Sequence, residues 1–216
     1  MFIKSIIDLI EKNGTVSITA ANSMGSGEEV FNLSAGEWKR LCRSLSKIPS
    51  ELDEITEELY DLMKAADERT SCLTTAARML SSSDKSARSL QRKLREKGFS
   101  EDAAVHAIEM LKKKGYLNED ESCRSYAISA VRSKHYGKRR IVEYLVSHGY
   151  PTNAAKNAAE EIPDEDYRDA LIYNIRKKCP DIVSLPRPEQ QKKIAALIRL
   201  GFTAGEIYKV INNLTQ

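Results

Sequence analysis

Apolar positions follow two regimes along this chain. Up to Leu33 they alternate: Val16, Ile18 and Ala20 are separated by Thr15, Ser17 and Thr19, the period of a half-buried strand. Asn13-Gly14 ahead of them is a turn dipeptide, because both residues tolerate positive φ, and Met24-Gly25-Ser26-Gly27 breaks the pattern before Glu29 to Leu33. A hairpin or three-stranded meander is predicted, with IKSIIDLI as its first strand or as a helix in that place. From Ser34 the period becomes helical. Trp38, Leu41, Cys42 and Leu45 recur on one face, and Ser34-Ala35-Gly36-Glu37 has the spacing of a capping box, with Glu37 reaching back to the start of the helix. Trp38 reads as the anchor of a small core. Pro49-Ser50 predicts the next helix start, with Glu51, Asp53 and Glu54 in its first turn; Leu52, Ile55, Leu59, Leu62 and Met63 keep helical spacing after it.

Beyond Cys72 the helical pattern repeats. Gly98-Phe99, Gly149-Tyr150 and Gly201-Phe202 recur at intervals of 51 and 52 residues, with Leu94, Leu145 and Leu197 each four residues before the glycine. After it, Ala104, Ala155 and Ile207 coincide, as do Ala107, Ala158 and Val210, then Ile108, Ala159 and Ile211. A glycine at that place ends a helix in the left-handed conformation, and the following aromatic residue packs back on the helix. Ser100 and Thr203 start the next helices, Thr203 with Glu206 in capping-box spacing. Asn118 or Asp120 can cap another, Ile162-Pro163-Asp164 separates two units, and Pro180 to Pro188 is a longer joint in the last. Ala154, Ala155, Ala158 and Ala159 form a small-residue helix face that neighbours can approach closely. The expected fold is mainly α: three tandem three-helix-bundle repeats in an elongated array, at 70–117, 118–163 and 164–216, preceded by a small strand-containing N-terminal domain, 1–69.

Charge sharpens this division. The chain has 216 residues and a net charge of +3, but residues 1–69 hold 8 Lys and Arg against 13 Asp and Glu, whereas the remainder holds 26 against 18. An acidic N-terminal part and a basic body imply different duties, the second facing something anionic. Lys4, Asp8 and Glu11 break any signal-peptide core and no apolar run approaches the ~20 residues of a membrane helix, so a cytoplasmic protein that does not enter membranes is expected. Cys42, Cys72, Cys123 and Cys179 form no CxxC pair, which fits reduced structural thiols.

No catalytic constellation or cofactor motif appears. His106, His135 and His148 lack ligand spacing, there is no GxSxG, P-loop or GxGxxG, and Asn118-Glu119-Asp120-Glu121 is better explained by a helix N-terminus than by a metal. An enzyme is therefore not expected, nor a metal. The cations are the feature above background. Arg88, Arg92 and Arg95 form a stripe opposite Ala87, Leu90 and Leu94, and Lys138-Arg139-Arg140 opens a helix, where the macrodipole disfavours positive charge. Lys112 to Lys114, at a helix C-terminus, need no functional reason.

The run from Ser86 to Glu121, SARSLQRKLREKGFSEDAAVHAIEMLKKKGYLNEDE, followed by RSYAISAVRSK and GKRRIVEYLVSHGY, resembles the RecX family of bacterial recombination regulators. The resemblance is specific from Ser86 to Tyr150, looser in the third unit and general before it. Asn118-Glu119 stands where the family has Asp-Asp, and Ser122-Cys123 where it has Phe-Ala, removing a core aromatic. The resemblance implies a modulator, most often an inhibitor, of the RecA recombinase in DNA repair and the SOS response, lying in the groove of the RecA filament. It further implies that Arg88, Arg92, Arg95, Arg132, Lys138, Arg139 and Arg140 contact RecA or DNA phosphate, with single- or double-stranded DNA bound weakly and in a salt-dependent way by a monomer. Two other readings use the same helices: a helix-turn-helix module binding DNA without RecA, and a pure protein adaptor.

Overall fold

The computed structural model describes residues 1–9, 14–21, 27–82 and 86–213. Among them are three strands and ten helices, in two compact units, Met1–Ser83 with Leu90–Leu117, and Asp84–Ser89 with Asn118–Gln216. No helix among the described residues is long and apolar enough to cross a membrane. Asn13 and the Met24 to Ser26 break lie outside the described residues.

The first unit begins with an antiparallel sheet in chain order, β1 (Phe2–Leu9), β2 (Thr15–Ala21) and β3 (Glu28–Ser34). IKSIIDLI is thus strand. Ile18 sits between Ile6 and Phe31 in register, and Ile3, Val16, Ile18, Ala20, Phe31 and Leu33 make the buried face. Both outer edges are covered. On β1 the Ile3 N–H donates to the Asp53 carbonyl (2.9 Å) and the Ile3 carbonyl accepts from Leu52 (2.8 Å). On β3 the Asn32 and Ser34 N–H groups donate to Asp67 Oδ1 (2.6 Å) and Thr70 Oγ1 (2.9 Å), which removes the pairing template an open edge offers.

Two helices follow, α1 (Ala35–Ser44) and α2 (Glu57–Ser82). The helix predicted from Pro49 starts instead at Glu57. Residues 50–55 are held on β1, and the Asp53 carboxylate is taken by the Ser50 N–H, the Ser50 hydroxyl and Lys47. Ser34 caps α1 through the Glu37 N–H (3.2 Å), but Glu37 does not reach back. Its carboxylate, buried, holds Arg69 on α2 through Nε (2.8 Å) and Nη2 (2.6 Å), and His106 Nε2 at 3.1 Å. The expected second half of the box is given up to a buried ion cluster. Trp38 is half-buried at the margin of this core.

The helices α3 (Ala87–Glu96), α4 (Glu101–Lys113), α5 (Glu119–Lys134), α6 (Lys138–Ser147), α7 (Thr152–Glu160), α8 (Asp164–Lys178), α9 (Arg187–Arg199) and α10 (Ala204–Asn213) complete the chain. The three glycine turns have one geometry: φ is +94° at Gly98, +89° at Gly149 and +97° at Gly201. In each, the aromatic N–H returns to the leucine carbonyl five residues back, Phe99 to Leu94 (3.3 Å), Tyr150 to Leu145 (3.2 Å) and Phe202 to Leu197 (3.5 Å). The equivalent residues on α4, α7 and α10 are all buried. Thr203 and Glu206 form the complete capping box, whereas at Ser100 the reciprocal acceptor comes from Glu68 on α2, at 2.6 Å from the Ser100 N–H.

In the second unit the turns seat on the starts of other helices. A Cβ on Gly149 would lie 2.7 Å from Ser86 Oγ, and one on Gly201 would lie 2.4 Å from the Arg140 nitrogen and 2.7 Å from the Gly137 carbonyl oxygen. Ser86 caps α3, accepting from Ser89 (3.2 Å) while donating to the His148 carbonyl (2.7 Å). At Ser122-Cys123 the Tyr150 hydroxyl donates to Ser122 Oγ (3.1 Å) and Cys123 is fully buried, so a tyrosine from the Gly149 turn serves the junction. Burial pushes the Cys72 and Cys123 thiols up to about 11, which fits inert core cysteines.

Candidate partner-binding surface

Basic side chains stand on α3, α5 and α6. Along α3, Leu90 and Leu94 are buried, so the helical period turns Arg88, Arg92 and Arg95 outward, and all three are exposed. Arg88 has no ion-pair partner among the described residues. Arg92 is 3.6 Å from Glu96 in an exposed pair of little energetic weight. Arg95 is more engaged, with Nη1 donating to the Phe99 carbonyl (3.1 Å) and Nε 3.2 Å from Glu101. It therefore also braces the glycine turn.

On α5, Arg132 is exposed beside Ile128 and Ser129, where Ser125, Ile128, Ser129, Arg132 and Ser133 line a shallow depression. This face presents hydroxyl donors and one guanidinium beside the exposed Ile128 side chain.

The Lys138-Arg139-Arg140 run opens α6, as predicted, but its side chains point at specific intramolecular acceptors. Lys138 Nζ donates to Glu160 Oε2 (2.6 Å), Arg139 Nη2 to the Ile198 carbonyl (2.7 Å) and Arg140 Nη1 to Glu143 Oε2 (2.9 Å). Ile198 lies in the last turn of α9, where carbonyls lack helical partners and the dipole favours a cation. Arg140 also stands over the Tyr136 ring, 5.7 Å from its centroid. These contacts give the run a structural role that its sequence position alone does not disclose. Arg139 and Arg140 nevertheless keep about half of their side chains exposed (60% and 47%), enough for a second contact.

A further cation group, without a motif that sets it apart, stands at the end of α8. Lys177 Nζ donates to the Tyr173 hydroxyl (3.0 Å), and the Tyr173 ring stacks on His135 at 3.6 Å between centroids. Burial, then Lys177 and Lys178, lower the pKa of His135 and favour its neutral form. The available signal was the spacing Tyr173-x-x-x-Lys177 within a basic run, Arg176 to Lys178, at a helix C-terminus. The other histidines are not free surface groups either: His106 meets Glu37, and His148 Nδ1 lies 2.8 Å from the Tyr144 carbonyl.

Residues 72–111 match the first three-helix domain of RecX. The regulatory protein RecX of Clostridium perfringens (strain SM101 / Type A) is 27% identical over 160 residues, 74% of either chain. That of Caldanaerobacter subterraneus subsp. tengcongensis is 28% identical over 159 residues, 74% of this chain and 78% of the relative. A crystal structure of a regulatory protein RecX superposes with a TM-score of 0.75 over 98% of both chains at 15% identity, and that of RecX from Lactobacillus salivarius with 0.63 over 69% of this chain and 98% of its own at 21%. The fold is shared with both. Arg88, Arg92 and Arg95 lie inside the matched domain.

Proposed function

We propose, from the premise that the chain belongs to the RecX family, that it is a non-enzymatic cytoplasmic regulator of homologous recombination. It binds the RecA nucleoprotein filament and lowers its ATPase and strand exchange. The observation that carries this reading is the outward row Arg88, Arg92 and Arg95 within the segment matching the first RecX domain. Three cations spaced along one helix suit an extended polyanion or an acidic protein face, and a contact made through them weakens as salt rises.

In this reading the basic part consists of three repeats, 70–117, 118–163 and 164–216, each ending its second helix in the same glycine turn. Arg88, Arg92 and Arg132 serve the partner. Arg95, Lys138, Arg139 and Arg140 serve both the partner and the fold. DNA contributes a weaker, salt-dependent contact, and the protein acts as a monomer.

The dual roles can be separated. Replacing Arg88, Arg92 and Arg95 together with Ala should raise the concentration needed for half-maximal inhibition of RecA roughly tenfold and flatten its salt dependence, with a small drop in melting temperature from the lost Arg95 brace. Replacing Lys138, Arg139 and Arg140 together should weaken inhibition and also lower the melting temperature. Inhibition by both triple variants equal to that of the parent, at matched folding, refutes the assignment.

A further inference from the structure

The acidic N-terminal segment, residues 1–69, carries an apolar projection that its core does not explain. Ser50 to Asp53 is a tight turn closed by the Asp53 N–H on the Ser50 carbonyl (3.2 Å), and its third residue, Leu52, has φ +71°. That slot favours Gly or Asn, because a Cβ in the left-handed region crowds the following carbonyl. Leu52 gains no burial in exchange: it is 81% exposed, and Ile48 is 64% exposed, whereas Pro49 and Ile55 are buried.

The turn is also firmly held. The Asp53 carboxylate accepts from the Ser50 N–H (2.8 Å), the Ser50 hydroxyl (2.9 Å) and Lys47 (2.8 Å), and the Leu52 N–H is bonded to β1. Those hydrogen bonds hold the Asp53 carboxyl down at about 2. A large apolar side chain is thus fixed outward, in a conformation unfavourable to it, on a rigid base. Strain kept with no packing return marks a side chain retained for contact with something else.

The surroundings define that contact. Glu51, Glu54, Glu57 and Glu58 are exposed and lie within six residues of Leu52. Glu54, Glu57 and Glu58 have no ion-pair partner among the described residues, and the nearby cation Lys47 is taken by Asp53. Such a surface repels nucleic acid and complements a protein carrying an apolar socket rimmed by Lys or Arg. We propose that Leu52, assisted by Ile48, is a docking knob by which the acidic N-terminal segment seats on such a socket. Resting on the function proposed above, the socket belongs to the recombinase filament.

The test uses the full chain as parent, Leu52→Gly and Leu52→Asn, titrated into DNA-dependent ATPase of RecA from the same organism, with melting curves and binding to bare single-stranded DNA alongside. Both substitutions suit the left-handed slot, so melting temperatures should hold or rise by roughly 2–4 °C. The half-maximal concentration on RecA should rise roughly tenfold for both variants, with binding to bare DNA unchanged. Variants matching the parent on RecA overturn the knob while leaving the parent function standing. Equal loss on bare DNA overturns it too, since the surface then meets nucleic acid. A parent without effect on RecA at any stoichiometry removes the regulatory function and the knob together.

Discussion

Three glycines in equivalent places are not equivalent in cost. Gly98, Gly149 and Gly201 all have φ near +90°, so alanine carries a left-handed penalty of roughly 1–2 kcal/mol at each. Space then separates them. An added Cβ meets nothing within 4 Å at Gly98, the Ser86 side chain at 2.7 Å at Gly149, and Arg140 backbone at 2.4 Å at Gly201. Overpacking against backbone adds roughly 1–3 kcal/mol. Gly201→Ala should therefore destabilise most, Gly149→Ala next and Gly98→Ala least, measured by urea denaturation. Equal losses at all three contradict the account. The turn itself was legible, because the glycine, the leucine before it and the aromatic after it are local signals. The seating of Gly201 on Gly137 and Arg140 was not, because it joins residues far apart in the chain and leaves no periodic trace.

At the scale of elements, the same limit shows where local signals compete with distant partners. The sequence Ser34-Ala35-Gly36-Glu37 predicts a reciprocal cap, and the structure supplies half of it. Glu37 is drawn instead to Arg69 on α2 and His106 on α4, so one buried carboxylate ties three helices. Ser100 shows the converse, borrowing Glu68 from α2 for the bond its own helix lacks. The start of α2 departs from the sequence pattern for a related reason: Asp53 and Leu52 look like first-turn residues, but pairing with β1 captures them. Because removing the Glu37 carboxylate leaves the Arg69 guanidinium without its counter-charge and His106 Nε2 without its partner, Glu37→Ala should cost roughly 2–4 kcal/mol in urea denaturation. The double variant with Arg69→Ala should lose clearly less than the sum of the singles. Additive losses, or a loss under about 0.5 kcal/mol for Glu37→Ala, contradict a structural role for the cluster.

For the whole molecule, an acidic N-terminal segment with a rigid apolar projection is joined in one chain to helices bearing cations. Helix identity, repeat period and the outward row on α3 could be read from apolar spacing, and the charge division from composition. The intramolecular partners of Lys138, Arg139 and Arg140 could not, because a sequence places cations on faces without saying what each face meets. The central claim is that this chain regulates the RecA filament. It is tested most directly by titrating the protein into DNA-dependent ATPase by RecA from the same organism. The account predicts a rate that falls to a plateau with added protein, at concentrations that rise with salt. An unchanged rate at every stoichiometry contradicts it, most decisively if the protein then binds duplex DNA sequence-specifically without RecA.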